Sequence, residues 1–178
     1  LKQELPLSDS SAAANAFQVL AGYRDAKTVY DSCFAGKLPH GLSTFLGCFI
    51  LNACVKAGHR KEALDYMREY WGGMLSTGST TFWEHFDIDW LKDAGRIDEI
   101  VPAGKHDIHG EYGEGCFTSY RNSFCHGWGA AVIGWMTEEL AGVRSAVDGF
   151  AEAEIAGTTS FDGTLECSVP VPCGTIRI

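Results

Sequence analysis

Cations are scarce in this chain of 178 residues: 14 Lys and Arg stand against 23 Asp and Glu, for a formal net charge of −9. Nucleic acid and anionic membrane surfaces both need clustered positive charge, so neither fits as a partner. A neutral ligand such as a sugar is not disfavoured. Long apolar runs are missing as well. The most apolar stretch, near Phe45 to Val55, falls well short of the roughly 20 residues that span a bilayer. The chain contains no G-x-x-x-x-G-K-[ST], no G-x-G-x-x-G after a strand and no G-x-S-x-G, which removes support for nucleotide binding and for a serine hydrolase. No H-E-x-x-H occurs, and the single H-x-x-H, at His106 and His109, is not a zinc signature. Asp87, Asp89 and Asp93 are dense in charge but lack calcium-loop spacing. No metal and no cofactor is expected.

What remains has globular proportions, with 46% hydrophobic and 21% charged residues, enough to bury a core. The seven cysteines are odd in number. Cys48 and Cys54 sit on apolar helical faces, as buried reduced thiols of a cytoplasmic protein would. A bond between Cys116 and Cys125 stays open. The chain begins at Leu1, shows no basic segment leading into an apolar one, and stops at Ile178 within what reads as a strand. It reads as a piece of a longer, cytoplasmic protein.

Four helices are predicted in the first half. Ser8-Asp9-Ser10 offers N-caps for a helix carrying Ala13, Ala16, Phe17 and Leu20. Ala26, Val29, Tyr30 and Cys33 mark a second, ending near Gly36. Leu42, Phe45, Leu46, Phe49, Ile50 and Ala53 mark a third, with Gly58 beyond its end. Ala63, Leu64, Met67, Tyr70 and Trp71 mark a fourth that runs into Gly72-Gly73. Short links containing Gly favour antiparallel neighbours. The helices do not repeat one another in sequence, which counts against a helical-repeat interaction protein. From Ile88 to Phe124 no period persists, yet Trp90, Tyr112, Phe117 and Tyr120 argue against disorder. A last helix is predicted over Gly127 to Leu140 with Ala130, Ile133, Met136 and Leu140 inward. Beyond Asp148, Leu165, Cys167, Val169 and Val171 alternate with polar residues or proline, a strand period. Pro172-Cys173-Gly174 then reads as a hairpin turn, and Pro170 suggests an edge or a bulge.

Two clusters could carry chemistry. In Thr80-Thr81-Phe82-Trp83-Glu84-His85-Phe86-Asp87 a carboxylate lies between aromatics, where desolvation makes a better base, and an indole offers a flat face for a sugar ring. The competing reading is a capped helix start, with Ser79 or Thr80 as N-cap and Glu84 in the first turn. In Cys125-His126-Gly127-Trp128-Gly129-Ala130 a histidine at a helix N-terminus suits a neutral hydrogen-bonding role. Its competitor is a packed histidine beside small residues.

These clusters, with Asn15 to Gly22, Tyr70-Trp71-Gly72-Gly73-Met74-Leu75, Gly78-Ser79 and Val169-Pro170-Val171-Pro172-Cys173-Gly174, together resemble the C-terminal part of bacterial α-L-rhamnosidases, members of the six-hairpin glycosidase superfamily. The resemblance implies a mainly α fold: part of an (α/α)6 toroid over residues 1–148, followed over 149–178 by the truncated start of a C-terminal β-sandwich domain. It implies an inverting glycosidase using two carboxylic acids. The family's general base falls on Glu84 and its rhamnose-contacting histidine on His126, with Trp83 and Trp128 as pocket walls. The family's general acid lies before the start of this chain, so the isolated piece would be inactive. The substrate implied is a terminal α-L-rhamnoside, in a rhamnose-containing glycoside or oligosaccharide. The family more often has Ser-Ala where Gly129-Ala130 stands. An open half-toroid would leave helix faces uncovered and prone to homo-oligomerise. The alternatives are another six-hairpin glycosidase, fucosidase- or glucosidase-like, and a carbohydrate-binding piece without turnover.

Overall fold

The computed structural model describes residues 6–8, 11–111, 122–157 and 163–178. Asp9, Ser10, Tyr112, Cys116, Phe117 and Tyr120 lie outside these, so the readings that fell on them, the Cys116–Cys125 bond included, do too. The chain is rich in helix with small antiparallel sheets, and it divides into two compact units, one reaching Ala131 and one from Val132 to Ile178.

The first unit begins with α1 (Ala12–Leu20), capped by Ser11, whose hydroxyl accepts from the Ala14 amide. The cap thus falls one residue past the predicted trio, and Ser8 instead accepts from the Ser11 amide at 3.0 Å. α2 (Ala26–Val29) is capped by Asp25 and continues as a π-helical turn, Tyr30–Phe34. α3 (Gly47–Lys56) starts five residues later than the apolar spacing predicts, because Leu42 and Ser43 are irregular and Thr44 to Leu46 form a turn. Three residues, 57–59, link it to α4 (Arg60–Ser76), and α3 packs on both α1 and α4. Val19, Ile50, Leu51, Ala53, Cys54, Ala63 and Leu64 are buried where these helices meet.

α4 does not stop at Gly72-Gly73 but passes through them. A Cβ on Gly73 would lie 2.9 Å from Leu91 and 3.4 Å from the Phe86 ring. That glycine lets the following loop lie against the helix, which is why it is there. Beyond α4 the chain carries a 3-10 turn, Ile88–Lys92, and an isolated parallel bridge between Ala94 and His106. Arg96 returns to α4, donating to the Ser76 carbonyl at 2.8 Å while holding the Asp98 carboxylate at 2.6 and 2.9 Å. That guanidinium keeps the Asp98 carboxyl below its ordinary range. Tyr70, Trp83, Phe86 and Trp90 form a second apolar cluster edge to face, with Tyr70 donating to the Phe86 carbonyl.

α5 (Ala131–Trp135), which follows a 3-10 turn at Gly127–Ala130, has all but its first residue in the second unit and leads into a π-helical turn, Met136–Leu140. Its buried side chains are Val132, Trp135 and Glu139, while Ile133 is 52% exposed. The predicted inward face is therefore rotated by about a residue. A run that tightens at one end and widens at the other does not keep a 3.6-residue phase. β1 (Val143–Ser145) pairs antiparallel with β2 (Ala153–Ile155), and β3 (Ser168–Val171) with β4 (Gly174–Arg177). The predicted period of two is realised: Leu165, Cys167, Val169 and Val171 all face one small core with Ala141, Val143, Phe150 and Ile176. Pro172 and Cys173 form the turn, and Pro170 stands opposite Thr175 in a two-stranded ribbon, where every strand is an edge.

No helix among the described residues is long and apolar enough to cross a membrane.

Candidate functional site

Residues 79–87 form an irregular loop with bends at Thr80, Thr81 and Glu84 and no helix start, so Glu84 is not a first-turn residue. Lacking a ladder of its own, the loop is pinned by bonds from segments far away in sequence. The Glu84 amide donates to the Ser123 carbonyl at 2.8 Å, and the His126 amide donates to the Phe82 carbonyl at 2.8 Å. Asn122, 3% exposed, closes a reciprocal pair with the main chain of His85: its Nδ2 donates to the carbonyl at 2.9 Å and its Oδ1 accepts from the amide at 3.2 Å. Thr81 donates to the Phe124 carbonyl.

These bonds bring two of the predicted site residues to the carboxylate. His126 Nδ1 lies 3.9 Å from Glu84 Oε2, and the two side chains are 33% and 36% exposed. Oε2 also accepts from the Ser123 amide at 3.3 Å. Among the described residues Oε1 accepts no hydrogen bond. The Trp128 ring is tilted over His126 at 4.3 Å and donates from Nε1 to the Glu84 carbonyl at 2.8 Å. It is 43% exposed, as is Phe45, which stacks on it at 5.6 Å. An amphipathic surface of this kind, with a carboxylate, an imidazole and an indole face side by side, suits a polyhydroxylated ring.

Trp83 is placed differently. Its ring is fully buried, 4.7 Å from the Phe124 ring and 6.0 Å from Phe86, and its buried Nε1 has no partner among the described residues. No face of it is open to a sugar, so the reading of Trp83 as a pocket wall gives way to one in which it supports the loop from below. Gly129 explains how the second segment comes so near. A Cβ there would sit 2.6 Å from the Trp83 carbonyl oxygen and 3.1 Å from the Phe82 Cβ, inside any normal contact. Thr44, Asn122 and Ser123 also join this constellation. Nothing local to them in the sequence signals it, because their partners are 37 to 40 residues away.

The His106 and His109 loop holds its own side chains. His106 lies 3.0 Å from Glu111 and 3.7 Å from Asp93, and Asp107 accepts from the His109 amide. Among the described residues no group of three or more His, Cys, Asp or Glu is disposed to hold a metal ion.

The fold is similar to that of a solved structure, the crystal structure of a GH78 family rhamnosidase of Bacillus sp. GL1, with a TM-score of 0.65 and 25% sequence identity over 96% of this chain. The chain spans 16% of that protein's length. No family model matches the chain, and no curated protein matches it.

Proposed function

We propose that this chain is the C-terminal part of an α-L-rhamnosidase-like glycoside hydrolase that inverts configuration, with Glu84 as its general base. In this reading residues 1–148 belong to an (α/α)6 toroid and 149–178 begin a β-sandwich domain. The observation that carries the reading is the half-exposed Glu84 carboxylate, faced by His126 at 3.9 Å and flanked by the open Trp128 ring. The likeness to a rhamnosidase supports it.

The chemistry follows from the two-carboxylate scheme of inverting glycosidases. Water attacks the anomeric carbon from the face opposite the leaving group, and Glu84 Oε1 takes the proton that this water loses. The glycosidic C–O bond breaks, and the leaving oxygen receives a proton from a carboxylic acid contributed by a part of the polypeptide outside this sequence. Oε2, held by the Ser123 amide, keeps the carboxylate from turning as the proton arrives. His126 hydrogen-bonds a sugar hydroxyl, and the apolar C–H face of rhamnose stacks on Trp128.

The test is Glu84→Gln in the complete polypeptide, assayed on aryl α-L-rhamnoside. A base that acts only in the transition state should show a kcat lower by about two to four orders of magnitude with KM little changed. Near-normal turnover removes Glu84 from the mechanism. A panel of aryl fucosides and glucosides separates the sugar specificities, and sugar binding without any hydrolysis by the complete polypeptide would reduce the site to a binding module.

A further inference from the structure

We infer that Thr44 is a positioning residue for the Glu84 carboxylate, an inference that rests on the reading of Glu84 as the base. Thr44 is 1% exposed, and its Oγ1 donates to the Glu84 carbonyl oxygen at 2.5 Å. The same oxygen accepts from Trp128 Nε1 at 2.8 Å. A carbonyl has two lone pairs, and here both are used by donors from different segments of the chain. The peptide that follows Glu84 cannot rotate without breaking both bonds. On the other side of the same Cα, the Glu84 amide is held by the Ser123 carbonyl at 2.8 Å. With both flanking peptides fixed, the direction of the Cα–Cβ bond is fixed, and with it the place from which the carboxylate reaches water.

Of these three anchors, Thr44 ties the loop to the helical core. It sits in the turn that leads into α3, where the Ser43 hydroxyl accepts from the Leu46 amide at 3.0 Å and the Ser43 carbonyl accepts from the Gly47 amide at 2.9 Å. α3 itself is immobilised by Ile50, Leu51, Ala53 and Cys54, all fully buried. The loop that carries Glu84 has no helix or strand of its own; Tyr70 ties its far end to α4 at the Phe86 carbonyl, and Thr44 ties the Glu84 peptide itself to the start of α3. Thr44 does not touch the reacting atoms. It acts through the main chain of Glu84, and a base displaced by a fraction of an ångström loses rate while the substrate still binds.

The experiment compares Thr44→Val, Thr44→Ser and Glu84→Gln in the complete enzyme, with rates normalised to the folded fraction by circular dichroism. Thr44→Val should lower kcat by about 10- to 100-fold with KM within about twofold, and Thr44→Ser, which keeps the donor, should recover kcat to within about threefold of the parent. If the valine variant does not fold, Thr44→Ala, which leaves space instead of crowding the carbonyl, replaces it with the same expectation. A full kcat in Thr44→Val or Thr44→Ala beside an inactive Glu84→Gln overturns the positioning role alone. Equal losses in the serine and valine variants overturn it too, since retaining the donor would then bring no recovery and packing around residue 44, not its hydrogen bond, would account for the loss. An active Glu84→Gln overturns the reading of the base itself, and the positioning role falls with it.

Discussion

Two stretches of the first unit are held in place by different physics. In the α3–α4 pair the main chain satisfies itself within each helix, and the helices are joined by apolar side chains such as Ile50, Leu51 and Leu64 that lose essentially all contact with water. In the pair of segments 79–87 and 122–130, side chains and main chain bond across about forty residues: Asn122 to His85, Trp128 to Glu84, Thr81 to Phe124. The first arrangement is cooperative and tolerant of any one polar change. The second depends on individual donors and on close approach, so a single atom can displace the carboxylate while the helices stay folded. Sites are commonly built in this way, with irregular backbone over a rigid scaffold.

The largest effect should come from attacking the scaffold. Leu51, on α3, is fully buried, and Leu51→Ala removes three carbons from a packed interior. A loss of about 2–5 kcal/mol in the denaturant unfolding free energy is expected. A loss well under 1 kcal/mol would mean that the helical pair is not the rigid half of the comparison.

A smaller but more local effect is expected at Gly129. The rhamnosidases that this sequence resembles more often have serine there, yet any Cβ at this position meets the Trp83 carbonyl at 2.6 Å. Gly129→Ser should cost about 1–3 kcal/mol through overpacking, because the contact is with backbone and cannot turn aside. If the proposed site is the sugar site, it should also weaken rhamnose binding by the complete polypeptide more than Leu51→Ala does at equal folded fraction. A neutral Gly129→Ser would show that the two segments can separate without harm, and the proximity of His126 to Glu84 would then count for less.

The same contrast decides what could be read without coordinates. Periodic elements were legible: α1 and α4 lie where apolar spacing puts them, and Leu165 to Val171 alternate onto one core as a period of two requires. Their boundaries were less so. Leu42, Phe45 and Leu46 have helical spacing but belong to an irregular stretch and the turn that holds Thr44, and Gly73 looks like a helix end when its absent side chain admits Leu91 and Phe86. The Glu84 and His126 segments drew notice by composition and by family resemblance. Their meeting, however, depends on Asn122, Thr44 and Gly129, whose roles are set by partners about forty residues distant. Trp83 illustrates the limit: an indole next to a carboxylate in sequence is fully buried here while the carboxylate beside it stays partly exposed, a difference that local composition does not reveal.

The gentlest probe leaves the protein unaltered and reads thiol reactivity. Cys48 and Cys54 lie in the helical pair, and burial pushes both thiols up to about 12. Cys125 lies in the site segment and is exposed. Iodoacetamide at pH 8, followed by peptide mass spectrometry, should label Cys125 readily and leave Cys48 and Cys54 unmodified until the protein is unfolded. The pH dependence has a definite sign. Below the ordinary thiol range near 8.5, folded and unfolded chains both keep these protons, and the contribution to stability is full. As the pH climbs from about 8.5 towards 12, the unfolded chain ionises while the folded one cannot, so the folded state binds more protons and stability falls. Folded Cys48 and Cys54 should thus stay silent as the pH rises from 8 until the helical pair itself opens, and then appear together. Labelling of either before that point would place the two halves of the unit on the same footing and dissolve the distinction between a closed scaffold and an accessible site.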